Sequence, residues 1–449
     1  CFSYWGEKVR KGEAPPPKER SEPLGFDSPL RHCKGFAYTK PNGVKGCRGK
    51  RREEKNTMDM IKKFKFLCYP EVVYGENAVS QLPDIVKTLH GNRLLVVVDA
   101  HFAETVVFKD IITLLECQKI DFRIFDKLVG EPTTDIGDEC AAFGRSEGCD
   151  IVCGIGGGSS LDTAKAASVL ITNGGSVRDY QGLNKVPKAG LPKIMVPTTA
   201  GTGSEVTFTA VFIRKDEKKK GGINSPFLYP ESAILDPVLT ISLPPSVTAS
   251  TGLDALCHAV ESFLSKQATF ISKAISLYAT KLIWDSLPKA YENGKSLKAR
   301  ASMLYGSFLA GTGLANAGVT AVHSISYPLG GVFNVPHGVA NGLLLPYVLE
   351  FEKDDIAEEV SLIYDYINKD VSSFSCVYKT ERFIEEIKRF IQTFSIPGLK
   401  DLNIPPESFP QLAKDALEVS VPIGNNPKPI AQEDIVEIYR KAYDICENN

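Results

Sequence analysis

Three short apolar runs, each closing on a turn, set the limits on what this chain can fold into. RLLVVVD (93–99), DIVCGIGGG (150–158) and KIMVPTT (193–199) are rich in β-branched residues and read as buried strands. Between them, residues 103–118 and 135–148 carry apolar residues at helical spacing. Strand and helix in alternation imply a parallel sheet covered on both faces. After Pro244-Pro245 the pattern changes: residues 247–265, 268–293, 296–315, 320–330 and 337–350 read as helices, with almost no strand signal. The expected fold class is therefore an α/β N-terminal domain over 61–243 followed by an all-α C-terminal domain over 244–449. No internal repeat of 20–50 residues is visible.

Residues 1–57 stand apart. They begin at Cys1, include Pro15, Pro16 and Pro17 and the basic run 48–52, and show no periodicity. This stretch is expected to be a disordered basic leader, best explained as upstream sequence carried into the translation, with Met58 or Met60 as the natural start. It holds 14 Lys/Arg against 7 Asp/Glu, so the remainder, at 38 against 47, carries −9. A mildly acidic body argues against nucleic acid and anionic membranes as partners, and no apolar run approaches the roughly 20 residues needed to span a bilayer. Eleven cysteines occur without CxxC or paired spacing, so they read as buried thiols of a reducing compartment, and a cytoplasmic location is expected.

Of only six histidines, three fall into a constellation with one aspartate: Asp254 and His258 in TGLDALCHAVES, His323 in AVHSISYP, and His337 in NVPHGVAN. Helical residues four apart share a face, with about 5–6 Å between Cβ atoms, so Asp254 and His258 can grip one ion. His323 and His337 lie in Gly/Pro-punctuated segments that can turn two imidazoles toward it. Three imidazoles and a carboxylate suit Fe(II) or Zn(II) and lack the thiolates of a structural zinc site. A catalytic metal is favoured.

Two loops follow strands in the first half. GIGGGSSLDTAKAAS (154–168) opens a helix, so the backbone of Gly156, Gly157, Gly158 and Ser159 can cradle a pyrophosphate at a helix N-terminus. Asp162 and Lys165 follow on the first turns, and Lys165 reads as solvated. VPTTAGTGSEVT (196–207) offers Thr198, Thr199, Thr202, Ser204 and Thr207 as donors to phosphate, ribose or a carboxamide. Asp99, closing its strand, is placed either to cap a helix or to accept from a ribose hydroxyl, which would favour NAD over NADP.

Together these residues resemble the iron-containing (group III) alcohol dehydrogenases. GGGS at 156–159 with Asp162, PTTAGTGSE at 197–205, the Asp254/His258 helix, and His323 with His337 follow that family's order, and the resemblance covers about 61–449. It implies a Rossmann-like nucleotide domain and a helical metal domain, the architecture shared with dehydroquinate synthase. It further implies a metal that is usually Fe(2+), with Zn(2+) as the other option, and NAD(P)-linked interconversion of an alcohol and its carbonyl by hydride transfer at a metal-held oxygen. The substrate is then a simple alcohol, diol, hydroxy acid or sugar-derived alcohol, and the protein a homodimer or larger homo-oligomer. Lys220, in KKKGGINSP, falls where the family often has a lysine near the cleft; the charge run around it reads equally as solvated. Tyr327 stands where many members carry a further histidine, which resembles the hydroxyacid-oxoacid transhydrogenase branch and makes Tyr327 and Lys220 the catalytic candidates. A sugar-acid alcohol oxidase-type activity and a dehydroquinate synthase-like lyase are the remaining alternatives. The lyase is expected to carry glutamate at the position of Asp254 and basic residues nearby for a substrate phosphate.

Overall fold

The computed structural model describes residues 63–445, all within one compact unit, Thr57–Asn449. The expected leader at 1–57 lies outside the described residues. The first half alternates as its pattern predicts: β1 Glu71–Tyr74, α1 Leu82–Thr88, β2 Arg93–Asp99, α2 Ala100–Ala103, α3 Val106–Cys117, β3 Asp121–Leu128, α4 Thr134–Ser146, β4 Ile151–Gly156 and α5 Gly158–Asn173. There follow α6 Val177–Tyr180, β5 Gly182–Leu183, β6 Lys193–Pro197, β7 Thr209–Arg214, β8 Lys219–Asn224 and β9 Ser232–Leu235. Six strands form one parallel sheet in the order β1-β9-β6-β4-β2-β3. The central strands β2, β4 and β6 are buried almost throughout, as expected of a sheet with helices on both faces. The loops after β4 and β6, adjacent strands, therefore emerge side by side at the carboxyl edge, where α/β sheets bind ligands.

The hairpin β7–β8 with β5 makes a second, three-stranded sheet. The strand KKGGIN, whose first lysine, Lys219, is exposed, begins in the charge run that reads equally as solvated or as facing the cleft. It pairs antiparallel with β7 and packs on the helical half, Gly331 lying so close to Lys218 that a Cβ there would collide with the Lys218 carbonyl.

The second half is helical, with no strand after Leu235 among the described residues: α7 Pro245–Leu264, α8 Phe270–Glu292, α9 Leu297–Ala317, α10 Ala321–Phe333, α11 His337–Ile367, α12 Cys376–Thr393, α13 Phe409–Leu417, α14 Ser420–Asn425 and α15 Gln432–Lys441. The α11 helix runs seventeen residues past the 350 expected, carrying Pro346 inside it. Fifteen of the twenty residues of α7 are buried, so it is the central helix, packed by α8, α9 and α11. Among the described cysteines, Cys68 and Cys117 are exposed rather than buried, while Cys140, Cys149, Cys153 and Cys257 are core. No described helix is long and apolar enough to cross a membrane.

Candidate metal and nucleotide site

Asp254, His258 and Glu261 sit at i, i+4 and i+7 on one buried face of α7. His323 lies in the first turn of α10, and His337 is the first residue of α11. Asn334, in the left-handed conformation, ends α10 and lets the chain reverse within three residues. That brings the His323 and His337 rings to 5.2 Å, edge to face, while His258 and His323 stack at 4.7 Å. Glycines at 338 and 342 let α11 press onto α7: a Cβ at 338 would strike the Ser250 carbonyl, and one at 342 would lie 2.8 Å from Leu253.

The four expected ligands converge. The Nε2 atoms of His258, His323 and His337 lie 3.9, 3.8 and 3.9 Å from Asp254 Oδ1, and the ligating atoms of Asp254, His258 and His323 fall within 4.8 Å of one another. Asn341, one turn after His337, points its amide Nδ2 into the same space, 2.7 Å from Asp254 Oδ1, 3.0 Å from His323 Nε2 and 3.1 Å from His337 Nε2. Its Oδ1 is buried with no partner among the described residues. A ring of lone-pair atoms around one donor, with an orphaned oxygen beside it, fits a divalent cation. Cys257 stays a protonated core thiol, its pKa raised well above the ordinary value by burial and by the Glu261 and Asp254 carboxylates.

The charges agree with that chemistry. Burial pushes the Asp254 carboxyl up, but the three imidazoles outweigh it and hold its pKa down at about 2. Burial lowers His258, and burial together with Lys220 lowers His337 further, so both imidazoles stay neutral with lone pairs to offer. His258 donates its Nδ1–H to the Gly201 carbonyl at 3.2 Å, which frees Nε2 for a metal. Gly201 belongs to the loop after β6, so the metal helix and the second glycine-rich loop share a hydrogen bond.

The nucleotide candidates divide into two groups. Thr199 and Thr202 lie against the backbone of Gly157 and Gly158, the loops after β4 and β6 facing each other. Helix α5 has Gly157 as its N-cap and no side-chain cap, leaving its amide end open, and Ser159 is only partly buried there. Thr198 pairs its amide with the Gly156 carbonyl. Asp99 realises its capping role, Oδ1 accepting from Phe102 N at 2.9 Å, and its Oδ2 faces Gly156. Asp162, Ser204 and Thr207 turn inward instead. Ser204 Oγ donates to Asp162 Oδ1 at 2.5 Å, Val211 N to Oδ2 at 2.8 Å, and Thr207 Oγ1 lies 3.3 Å from Lys165 Nζ.

Lys165 is not solvated: it is fully buried. Its ammonium reaches the carbonyls of Ser204, Thr207 and Thr209 and the Asp162 carboxylate, tying α5 to the second loop. Helix α5 is covered on both sides, so a polar position on it faces protein, not water. The side chain of Lys220 is only 6% exposed, paired with Glu131 at 2.7 Å and lying over Gly330 of α10. Tyr327 lies beside the metal residues, its ring 5.6 Å from that of His337. Burial and the carboxylates of Asp254 and Asp162 push its phenol well above the ordinary value, so it holds its proton. Glu131, Glu261 and Asn341 escape sequence reasoning. Only the i+7 spacing of Glu261 from Asp254 and the i+4 spacing of Asn341 from His337 hint at the last two.

Comparison with known proteins agrees over most of the described chain. Residues 70–237 match the model of the iron-containing alcohol dehydrogenases and residues 248–443 that of the C-terminal part of the Fe-containing alcohol dehydrogenase family. The chain is 39% identical over 373 residues to long-chain-alcohol dehydrogenase 1 of Geobacillus thermodenitrificans, covering 82% of this chain and 94% of that one. It is 35% identical to the NAD-dependent methanol dehydrogenase of Bacillus methanolicus, over 84% and 99% of the two chains. Among solved structures, a 1,3-propanediol oxidoreductase superposes with a TM-score of 0.82 at 33% identity, covering 85% of this chain and all of that one. A sulfoacetaldehyde reductase from Bifidobacterium kashiwanohense in complex with NAD+ superposes at 0.75 with 29% identity, over 86% and 100%. Fold, ligand constellation and relatives converge: this chain is an oxidoreductase of the iron-containing alcohol dehydrogenase family.

Proposed function

We propose that the protein interconverts a small alcohol or diol and its carbonyl with NAD, in a cleft between an α/β domain at 61–243 and a helical domain at 244–449. The observation that carries this is the convergence of Asp254, His258, His323 and His337 beside a loop that bonds one of them through Gly201. Those four residues would hold the metal, Fe(2+) in preference to Zn(2+). When bound, it supplies Lewis acidity at the substrate oxygen. The open end of α5, with Gly156, Gly157, Gly158 and Ser159, receives the pyrophosphate, and Thr198, Thr199 and Thr202 the nicotinamide side. Asp162, Ser204 and Thr207 act from behind, bracing the loop through Lys165. Asp99 accepts from the adenosine ribose, which favours NAD. Tyr327, kept neutral, donates a hydrogen bond toward the substrate, and Lys220 keeps positive charge near the cleft under the hold of Glu131. An aspartate at 254 disfavours the lyase alternative, which is expected to use glutamate there.

The test is His323→Ala. The variant is expected to fold, as judged by circular dichroism, and to lose metal-dependent NADH production across a panel of alcohols, diols and hydroxy acids. Activity equal to wild type after chelation and readdition of Fe(II) would sink the assignment.

A further inference from the structure

Glu261 is 1% exposed and lies one turn beyond His258 on the ligand face of α7. Its Oε1 accepts from Thr320 N at 3.0 Å, Thr320 Oγ1 at 2.9 Å and His323 N at 3.4 Å. Its Oε2 accepts from His323 Nδ1–H. Thr320 is the N-cap of α10, but its own side chain does not cap the helix. A carboxylate from α7 instead satisfies the amides of the N-cap and third residues, as a capping box would, and compensates the positive end of the α10 dipole. The same carboxylate holds the imidazole. With the proton of a neutral ring on Nδ1, the lone pair is on Nε2, which faces Asp254 Oδ1 at 3.8 Å.

We propose that Glu261 is the positioning residue of the metal centre: by fixing the tautomer and ring orientation of His323 it sets the affinity for the cation, beyond its service as a cap for α10. This rests on the metal reading of the four ligands. Two of the imidazoles are then oriented by chemically different partners, His258 by a loop carbonyl and His323 by a buried carboxylate. A carboxylate behind a ligating histidine raises the basicity of the ligand as well as aiming it.

The experiment measures Co(II) affinity of the metal-free full chain, by visible absorption and chelator competition, for wild type and Glu261→Gln. Glutamine keeps the shape and can still accept from the α10 amides, but it removes the charge. The expected result is a folded variant that binds Co(II) about 10- to 100-fold more weakly. A Co(II) affinity within twofold of wild type, whatever happens to the melting temperature of the metal-free protein, would overturn the proposal and leave Glu261 a cap alone. A wild type that binds no Co(II) overturns the metal reading itself, and this inference with it. Should Glu261→Gln fail to fold, nitrogen-15 histidine spectra of metal-free wild type decide. An Nδ1–H tautomer at His323 supports the proposal and an Nε2–H tautomer overturns it.

Discussion

Asp99 caps a helix with one oxygen and is proposed to choose the cofactor with the other. Oδ1 caps α2 through Phe102 N, and Oδ2 faces Gly156, the first glycine of the loop proposed to take the pyrophosphate. Asparagine caps a helix about as well as aspartate, so Asp99→Asn separates the tasks by removing only the charge. The expected outcome is a melting temperature near that of wild type and an NADP-to-NAD ratio of kcat/KM raised tenfold or more, about 1.4 kcal/mol. An unchanged ratio in steady-state assays with both cofactors would remove Asp99 from cofactor choice. The ligands are legible from sequence because histidine is scarce here and D-x-x-x-H fixes a shared helical face. Glu261 and Asn341 are not, because Glu and Asn on helices are commonplace. Only the meeting of α7, α10 and α11 shows what they touch.

At the scale of elements, the strands RLLVVVD, DIVCGIG and KIMVP and the helices from Pro245 to Phe333 follow the sequence pattern closely, since burial on both faces writes itself as continuous apolar runs. The hairpin β7–β8 is hidden. Lys218 and Lys219 are exposed as their charge suggests, and only Lys220, on the same strand as Lys219, turns its side chain inward to Glu131. The loop after β6 is also set by tertiary partners, above all by Lys165 and, beside it, Glu205 in the turn Ser204–Val206. Glu205 is buried with one oxygen unpartnered, and burial, only partly offset by a hydrogen bond from its own backbone amide and by Lys165, pushes its pKa from 4.5 up to about 7. The folded state therefore keeps a proton that the unfolded chain releases above pH 4.5. Stability from this group is full below that value and is lost as pH rises to about 7, by about 3 kcal/mol. Glu205→Gln cannot ionise, so its melting temperature relative to wild type is expected to climb between pH 5 and pH 8. A constant difference across that range would show that Glu205 is already charged in the folded protein.

For the molecule as a whole, the two halves meet where both ligands are proposed to bind. Gly203 of the second loop sits against Gly311 of α9, β8 lies on α10, and Gly201 accepts from His258, one of the proposed metal ligands. A dinucleotide that orders the loop fixes the Gly201 carbonyl, and with it the orientation of His258, before any metal arrives. The ordering cost is then met once for two ligands, which is positive coupling. Coupling is reciprocal: whatever factor the dinucleotide adds to metal affinity, the metal adds to dinucleotide affinity. The expected factor is about five- to tenfold, near 1 kcal/mol. NADH is the better probe, because its nicotinamide ring is uncharged and brings no cation toward the metal. Calorimetric titration of metal-free protein with Co(II), with and without saturating NADH, and of NADH with and without Co(II), should give the same factor in both directions. Equal Co(II) affinities with and without NADH would mean that the Gly201 contact is already fixed in the free protein and that the two halves bind their ligands independently.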